Sequence, residues 1–229
     1  PYTVRPLRLP MILAIDGPAG AGKSTVAKLV ASRLGLTFLD TGAMYRAVTL
    51  EALRLGLDPA DGAACARVAA SLKLEFDAQG KLHLDGRPGE PALRSPEVTR
   101  AVSQVSAHAA VRELIVAQQQ RIAASSRGVV AEGRDTTTVV FPRADHKFFL
   151  TASSHERARR RALELGTPQA LEQIRAEIEE RDRKDSTRAV SPLLKARDAH
   201  EILTDGKSAE DVARQLLAIV AGASGEGVR

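Results

Sequence analysis

The stretch AIDGPAGAGKSTVAKLVASRLG, residues 14–35, begins in an apolar run, passes three glycines and enters a helical pattern that stops at Gly35. Gly17 to Ser24 match G-x-x-x-x-G-K-[ST]. Gly17, Gly20 and Gly22 let the backbone bend where other residues cannot and come close to a phosphate. The backbone N–H groups and the helix N-terminus then face anionic oxygens. Lys23 reaches the outer phosphates, and the Ser24 hydroxyl is a ligand for Mg²⁺. The phosphate-binding segment is therefore Gly17, Pro18, Ala19, Gly20, Ala21, Gly22, Lys23, Ser24 and Thr25. A strand before and a helix after the loop predict an α/β fold of the P-loop NTPase type, a parallel sheet flanked by helices.

Working outward, the alternation of strand and helix patterns continues. MILAID (11–16), TFLD (37–40), GVVAEGRD (128–135), HKFFLTA (146–152) and HEILTDG (200–206) read as strands. GAMYRAVTLEALRLG (42–56) and SAEDVARQLLAIV (208–220) read as helices, the latter opened by a capping box of Ser208 and Asp211. The segment LKLEFDAQGKLHLDG (72–86) breaks the rhythm. It alternates apolar and polar residues on both sides of a turn at Gly80, which predicts an antiparallel hairpin. The expected organisation is a core of 11–60 and 96–229, a small α+β insert at 61–95, and an arginine-rich helical lid at 153–190 within the core. Residues 1–10 are expected to be a flexible extension, with Met11 a candidate original start.

The chain has 229 residues, 44% hydrophobic and 27% charged, with a net charge of +5. That balance suits a globular protein acting on polyphosphates, and no apolar run approaches the roughly 18 residues that a membrane span needs. With no Trp and 3% aromatic residues, the chain lacks the stacking platforms of a nucleic-acid binder. The single Cys65 excludes an internal disulfide, and the five histidines show no metal-ligand spacing. These features predict a cytoplasmic protein that binds neither nucleic acid nor membrane; a monomer is expected, although nothing in the composition determines the oligomeric state. The guanine motif N-K-x-D and the motor motif L-S-G-G-Q are both absent, which narrows the phosphate loop to a small kinase.

Four further clusters supply the acceptor half of such a site. FLDTGAMYR (38–46) puts Thr41, Tyr45 and Arg46 where a strand passes into a helix, at the sheet edge where ligands bind. Arg46 either grips a phosphate or lies on the surface behind a helix cap. AEGRDTTTVVFP (131–142) brings Glu132, Arg134 and Asp135 to the same edge, where Arg134 and Asp135 either pair together or divide between parts of one nucleotide. SSHERARRRALELG (153–166) starts with a capping box and places Arg157 and Arg161 on one helix face. EERDRKDSTRAVSPL (179–193) adds Arg181, Asp185 and Arg188, and a lid made of these last two segments would exclude water from the transfer.

The motifs IDGPAGAGKST, FLDTGAMYRA, SQVSAHAAVRE, GRDTTTVVFP and ERDRKDSTRAVSPL, in that order over about Ile12 to Val220, closely resemble those of the bacterial cytidylate kinases. The resemblance implies transfer of the ATP γ-phosphoryl group to CMP or dCMP with Mg²⁺ as cofactor. It implies that Ser103, Arg112 and Asp135 read the cytosine ring and that Arg46, Arg134 and Arg188 clamp the acceptor phosphate. Arg181 and Asp185 then contact phosphate and sugar, Thr41 replaces a common serine and Tyr45 belongs to the CMP pocket. Arg157 and Arg161 resemble lid arginines. The catalytic set implied is Lys23, Arg134, Arg188, Arg157 and Arg161. Glu132 stands where some relatives have Asp.

Overall fold

A computed structural model describes residues 10–77 and 79–223. Strand β1 (Met11–Asp16) leads into helix α1 (Lys23–Leu34), which ends on Gly35 in the left-handed conformation. Strand β2 (Thr37–Asp40) runs directly into α2 (Thr41–Arg54), whose first turn is capped by the Asp40 carboxylate accepting from Ala43 N at 2.8 Å. After α3 (Gly62–Ser71) come three short strands, β3 (Leu74–Phe76), β4 (Leu82–Leu84) and β5 (Arg87–Pro88). Helices α4 (Pro96–Val105) and α5 (Ala109–Ala124) return the chain to the sheet. Then follow β6 (Gly128–Gly133), β7 (His146–Thr151), the helical pair α6 (Ser154–Leu165) and α7 (Leu171–Thr187), β8 (His200–Leu203) and α8 (Ala209–Ala223).

The main sheet has the order β2-β6-β1-β7-β8, and every neighbouring pair in it is parallel. Helices cover both faces. Met44, Val48 and Ile115 pack on one side, with α2, α3 and α5, while Val26, Val30 and Leu216 pack on the other, with α1 and α8. Burial of both faces is why these strands read as nearly continuous apolar runs. Cys65 is fully buried in the first of these cores.

The predicted hairpin is present, and it is larger than its sequence pattern shows. β3 and β4 pair antiparallel, and a turn at Asp85 and Gly86, both at positive φ, adds β5 as a third strand. With two residues, β5 is too short to display an alternation. Between β6 and β7 the β-branched TTTVV run is not strand: Thr136–Val140 form a wide π-type turn in which Phe141 N donates to Thr136 O at 2.8 Å. Such turns concentrate at functional sites. The predicted extension at 1–10 and the tail beyond Ala223 fall, except for Pro10, outside the described residues.

Register decides the site. Asp40 lies opposite Glu132 across β2 and β6, and Asp16 lies opposite Gly133 across β1 and β6. The carboxyl ends of three adjacent strands therefore bring acidic side chains to the point where the phosphate loop begins, as open α/β sheets do at a ligand crevice.

Candidate active site

The loop between β1 and α1 is shaped by close approach. A Cβ on Gly17 would lie 2.0 Å from the Leu150 carbonyl oxygen, so β7 leaves no room for a side chain there. Gly20 has φ +77°, and a Cβ on it would lie 3.0 Å from Arg157 Cβ on α6. Lys23 is only 5% exposed and donates from Nζ to the Pro18 carbonyl at 2.8 Å. Burial, followed by the nearby Arg134 charge, lowers its pKa to about 7. Ser24 Oγ donates to Glu132 Oε1 at 2.7 Å, so the first turn of α1 and the end of β6 present a hydroxyl and a carboxylate together.

This loop forms one wall of a cleft of about 900 Å³. Arg46, Arg94, Arg134, Arg181 and Arg188 line the same cleft. Arg46 is anchored from behind, donating to Leu93 O at 3.1 Å and to Thr99 Oγ1 at 3.0 Å. Arg134 Nε donates to Asp185 Oδ2 at 2.9 Å, and Arg181 Nε lies 3.9 Å from the same oxygen. Burial opposes the charge on Asp185, but Arg134 and Arg181 outweigh it and hold its pKa below the usual carboxylate value. The cations outnumber their partners. Burial, then Arg181 and Arg94, lowers the pKa of Arg46 to about 9, and burial with Arg134 lowers that of Arg181 to about 10. Guanidiniums that weaken one another's protonation stay cationic at neutral pH, and they are stabilised by any polyanion placed between them.

Deeper in the cleft, Arg112 on α5 pairs with Asp135 and donates to Ser106 O at 3.0 Å. The other Asp135 oxygen lies 3.6 Å from Arg188 Nη2. Arg112 also sits over the Tyr45 ring, 5.0 Å from its centroid, and burial pushes the Tyr45 hydroxyl pKa up to about 12.

A family profile described as cytidylate kinase matches residues 13–222. The chain belongs to the cytidylate kinase family. It is 52% identical over 214 residues to a bifunctional pantoate ligase/cytidylate kinase of Prochlorococcus marinus, covering 90% of this chain and 44% of that protein. It is likewise 52% identical over 216 residues to a protein of the same name from Trichormus variabilis, of which it covers 40%. The chain thus spans less than half the length of these curated relatives. Among solved structures, a gluconokinase from Sinorhizobium meliloti superposes with a TM-score of 0.50 at 15% identity over 94% of both chains. That likeness concerns the fold alone.

As a member of the cytidylate kinase family, the chain brings most of the predicted site residues to one cleft. Ala19 to Thr25, Thr41, Tyr45, Arg46, Ser103, Arg112, Arg134, Asp135, Arg161, Arg181, Asp185 and Arg188 all line it. Some are committed elsewhere. Thr41 donates its hydroxyl to Glu132 O at 2.7 Å, which makes it a strut between α2 and β6. Arg157 does not line the cleft, although Arg160 and Arg161 do. Its guanidinium is buried behind the phosphate loop, donating to Ala152 O at 3.0 Å and to Ala19 O at 2.9 Å and pairing with Asp182. Spacing of four put Arg157 and Arg161 on one face, but α6 meets the loop at its first turn, so the two reach different places.

Three contributors escape sequence reasoning. Arg94 lines the cleft and lies 3.3 Å from Asp40. That carboxylate is held by burial, then by neighbouring Glu132, at a pKa of about 6. Asp16 is fully buried and accepts from Thr136 and Thr137. Asp182 bonds to the phosphate loop itself. The first sits in a segment read as insert, the second in a strand, and the third among many helical charges.

Proposed function

We propose that this chain transfers the γ-phosphoryl group of ATP to CMP or dCMP, giving CDP or dCDP and ADP. The observation that carries the reading is that Arg112, Asp135 and Arg188 cluster in the same cleft as the phosphate loop. A carboxylate accepts from the exocyclic amine of cytosine, and a guanidinium donates to its ring carbonyl and ring nitrogen. Uracil presents an acceptor where cytosine presents that amine, so a site built this way rejects it.

In this reading an oxygen of the acceptor phosphate attacks the γ-phosphorus, and the bond from that phosphorus to the oxygen bridging to ADP breaks. A phosphate monoester is already ionised near neutral pH, so no strong base is needed. Lys23 and the loop N–H groups hold the donor phosphates, while Arg46, Arg134 and Arg188 hold the acceptor and the charge that develops between the two. Arg181 and Asp185 orient the phosphate and sugar of the nucleotide. Positioning two anions in line provides most of the catalysis.

The cofactor in this reading is Mg²⁺. Ser24 and Glu132 offer adjacent oxygen donors of the type that the ion takes, with few protein ligands and the remaining positions left to water and phosphate. Ser24 would hold it directly and Glu132 through water, and the ion supplies neutralisation of phosphate charge. The segment at 61–95 is assigned to supporting the acceptor site, and 153–190 to closing it against water.

Acceptor profiling tests the proposal. ADP release is measured with CMP, dCMP, UMP, AMP and shikimate, and CMP and dCMP are expected to be preferred. A higher kcat/KM with UMP or AMP would refute the cytosine reading, and turnover with shikimate alone would refute the nucleotide reading.

A further inference from the structure

Ala19 stands at the bend of the phosphate loop, and every part of it is held by the α6–α7 pair. Its N–H donates to Asp182 Oδ1 at 3.1 Å, and its carbonyl accepts from Arg157 Nη1 at 2.9 Å. Arg157 also pairs with the second oxygen of Asp182, which closes a ring through the N–H and the carbonyl of one residue, the two ends of adjacent peptide groups. The Ala19 methyl packs on the small core that Ala158, Ala162, Ile174 and Ile178 form between the two helices. Next to it, Gly20 has no side chain, and α6 approaches so closely that a Cβ there would crowd Arg157. Neither Asp182 nor Arg157 lines the cleft.

Helix α7 also carries Arg181 and Asp185, and Asp185 bonds Arg134 at the end of β6. One helix therefore makes two fixed attachments, to the phosphate loop through Asp182 and to the acceptor arginines through Asp185. The distance between donor and acceptor phosphates is what in-line transfer depends on most steeply.

We infer that Asp182 and Arg157 form a clip that sets the phosphate loop in register with the acceptor arginines, and that both are positioning residues. This replaces the substrate contact that the family resemblance implies for Arg157, and it rests on the phosphoryl-transfer reading above. A charged pair whose two members bond the N–H and the carbonyl of one residue behaves as one element. Loss of either member loosens the backbone on both sides of Ala19, because each holds the other in place, and loss of the second then adds little.

The test uses Asp182→Asn, which keeps an acceptor for the Ala19 N–H while removing the charge, together with Arg157→Gln and the double variant. The clip predicts that kcat falls by roughly 10-fold in each single variant and by about the same in the double variant. The KM for CMP stays within about twofold, and affinity for a non-hydrolysable ATP analogue, measured by equilibrium titration, falls several-fold in all three. Arg157→Lys, which retains the charge but not the fork, recovers part of the loss. A loss near 10³-fold in Arg157→Gln beside a wild-type rate in Asp182→Asn would make Arg157 a transition-state contact and overturn the clip. Additive losses in the double variant would overturn it as well. If Asp182→Asn does not fold, Arg157→Gln decides by the same titration, and unchanged analogue affinity in it overturns the clip. The titration does not depend on the acceptor. A wild-type protein that fails to phosphorylate CMP therefore refutes the proposed function while the analogue titration still judges the clip.

Discussion

Ser24 Oγ donates to Glu132 Oε1 at 2.7 Å, joining the first turn of α1 to the last residues of β6. Parallel pairing of β1 with β6 puts Ile15 opposite Glu132, so the carboxylate arrives at the phosphate loop through sheet register. The hydroxyl and the carboxylate form one hydrogen-bonded unit that faces the cleft.

Glu132→Gln keeps an acceptor for Ser24 but removes the negative charge. In the proposed reaction its kcat falls by roughly 10- to 100-fold, and the Mg²⁺ concentration for half-maximal rate rises. Glu132→Asp, which keeps the charge, retains most of the activity. Magnesium titrations of initial rate measure both, and an unchanged magnesium dependence in Glu132→Gln would assign Glu132 to packing alone.

Asp135 stands between Arg112 and Arg188, with all three side chains largely covered. Asp135→Ala leaves two cations without their partner and raises the KM for CMP far more than that for ATP. Asp135→Asn preserves the shape and isolates the recognition effect. A charged hydrogen bond contributes about 1.5–3 kcal/mol, so the KM for CMP rises by roughly 10- to 100-fold while that for ATP stays within about twofold. Equal changes in the two constants would mean that Asp135 serves structure.

Asp16 accepts from Thr136 N and Oγ1 at 2.8 and 2.7 Å, and from Thr137 N and Oγ1 at 2.7 and 2.6 Å. Burial raises its pKa, opposed by these four donors. Asp16→Asn sets an amide N–H₂ against one pair of donors and costs about 1–3 kcal/mol. Thermal denaturation should show a fall of several degrees, since each kcal/mol shifts a domain of this size by about 2–4 °C. The KM for CMP also rises, because the π-type turn continues directly from Arg134 and Asp135.

Lys23 titrates near 7 in the folded protein, against an ordinary value of 10.5. Between those values the unfolded chain binds the additional proton, so this group makes stability rise with pH across that window. Its destabilising contribution is largest at and below about pH 7 and vanishes near pH 10.5. Lys23→Met is therefore expected to melt higher than the wild type at neutral pH, with the difference shrinking as the pH approaches 10, and to have lost phosphoryl transfer. Paired melting curves across pH check the sign. A variant less stable at neutral pH would show that the bond to Pro18 outweighs the burial of the charge.

Much of this architecture is legible along the chain. Apolar runs mark β1, β2, β6, β7 and β8, and Gly35 marks the end of α1. The β3–β4 hairpin shows in a period of two, whereas β5 does not. The TTTVV run has strand-like composition yet winds into a π-type turn, since Asp16 draws its first N–H groups inward. Local propensity yields there to a buried carboxylate that needs donors.

From Gly17 to Ser24 the sequence alone determines a phosphate site, because turn geometry and helix start are local properties of adjacent residues. It also determines the element order and a roster of arginines and carboxylates, by residue type and spacing. Strand order lies beyond it, since apolar runs of similar length do not name their neighbours. Only tertiary structure decides that β6 sits between β2 and β1, which places Glu132 beside Ser24 and Asp40. It alone decides which arginines face the cleft, turning Arg161 toward it and Arg157 behind the loop. The physical reason is distance: side chains more than a hundred residues apart, such as Ser24 and Glu132, meet only when the sheet has formed.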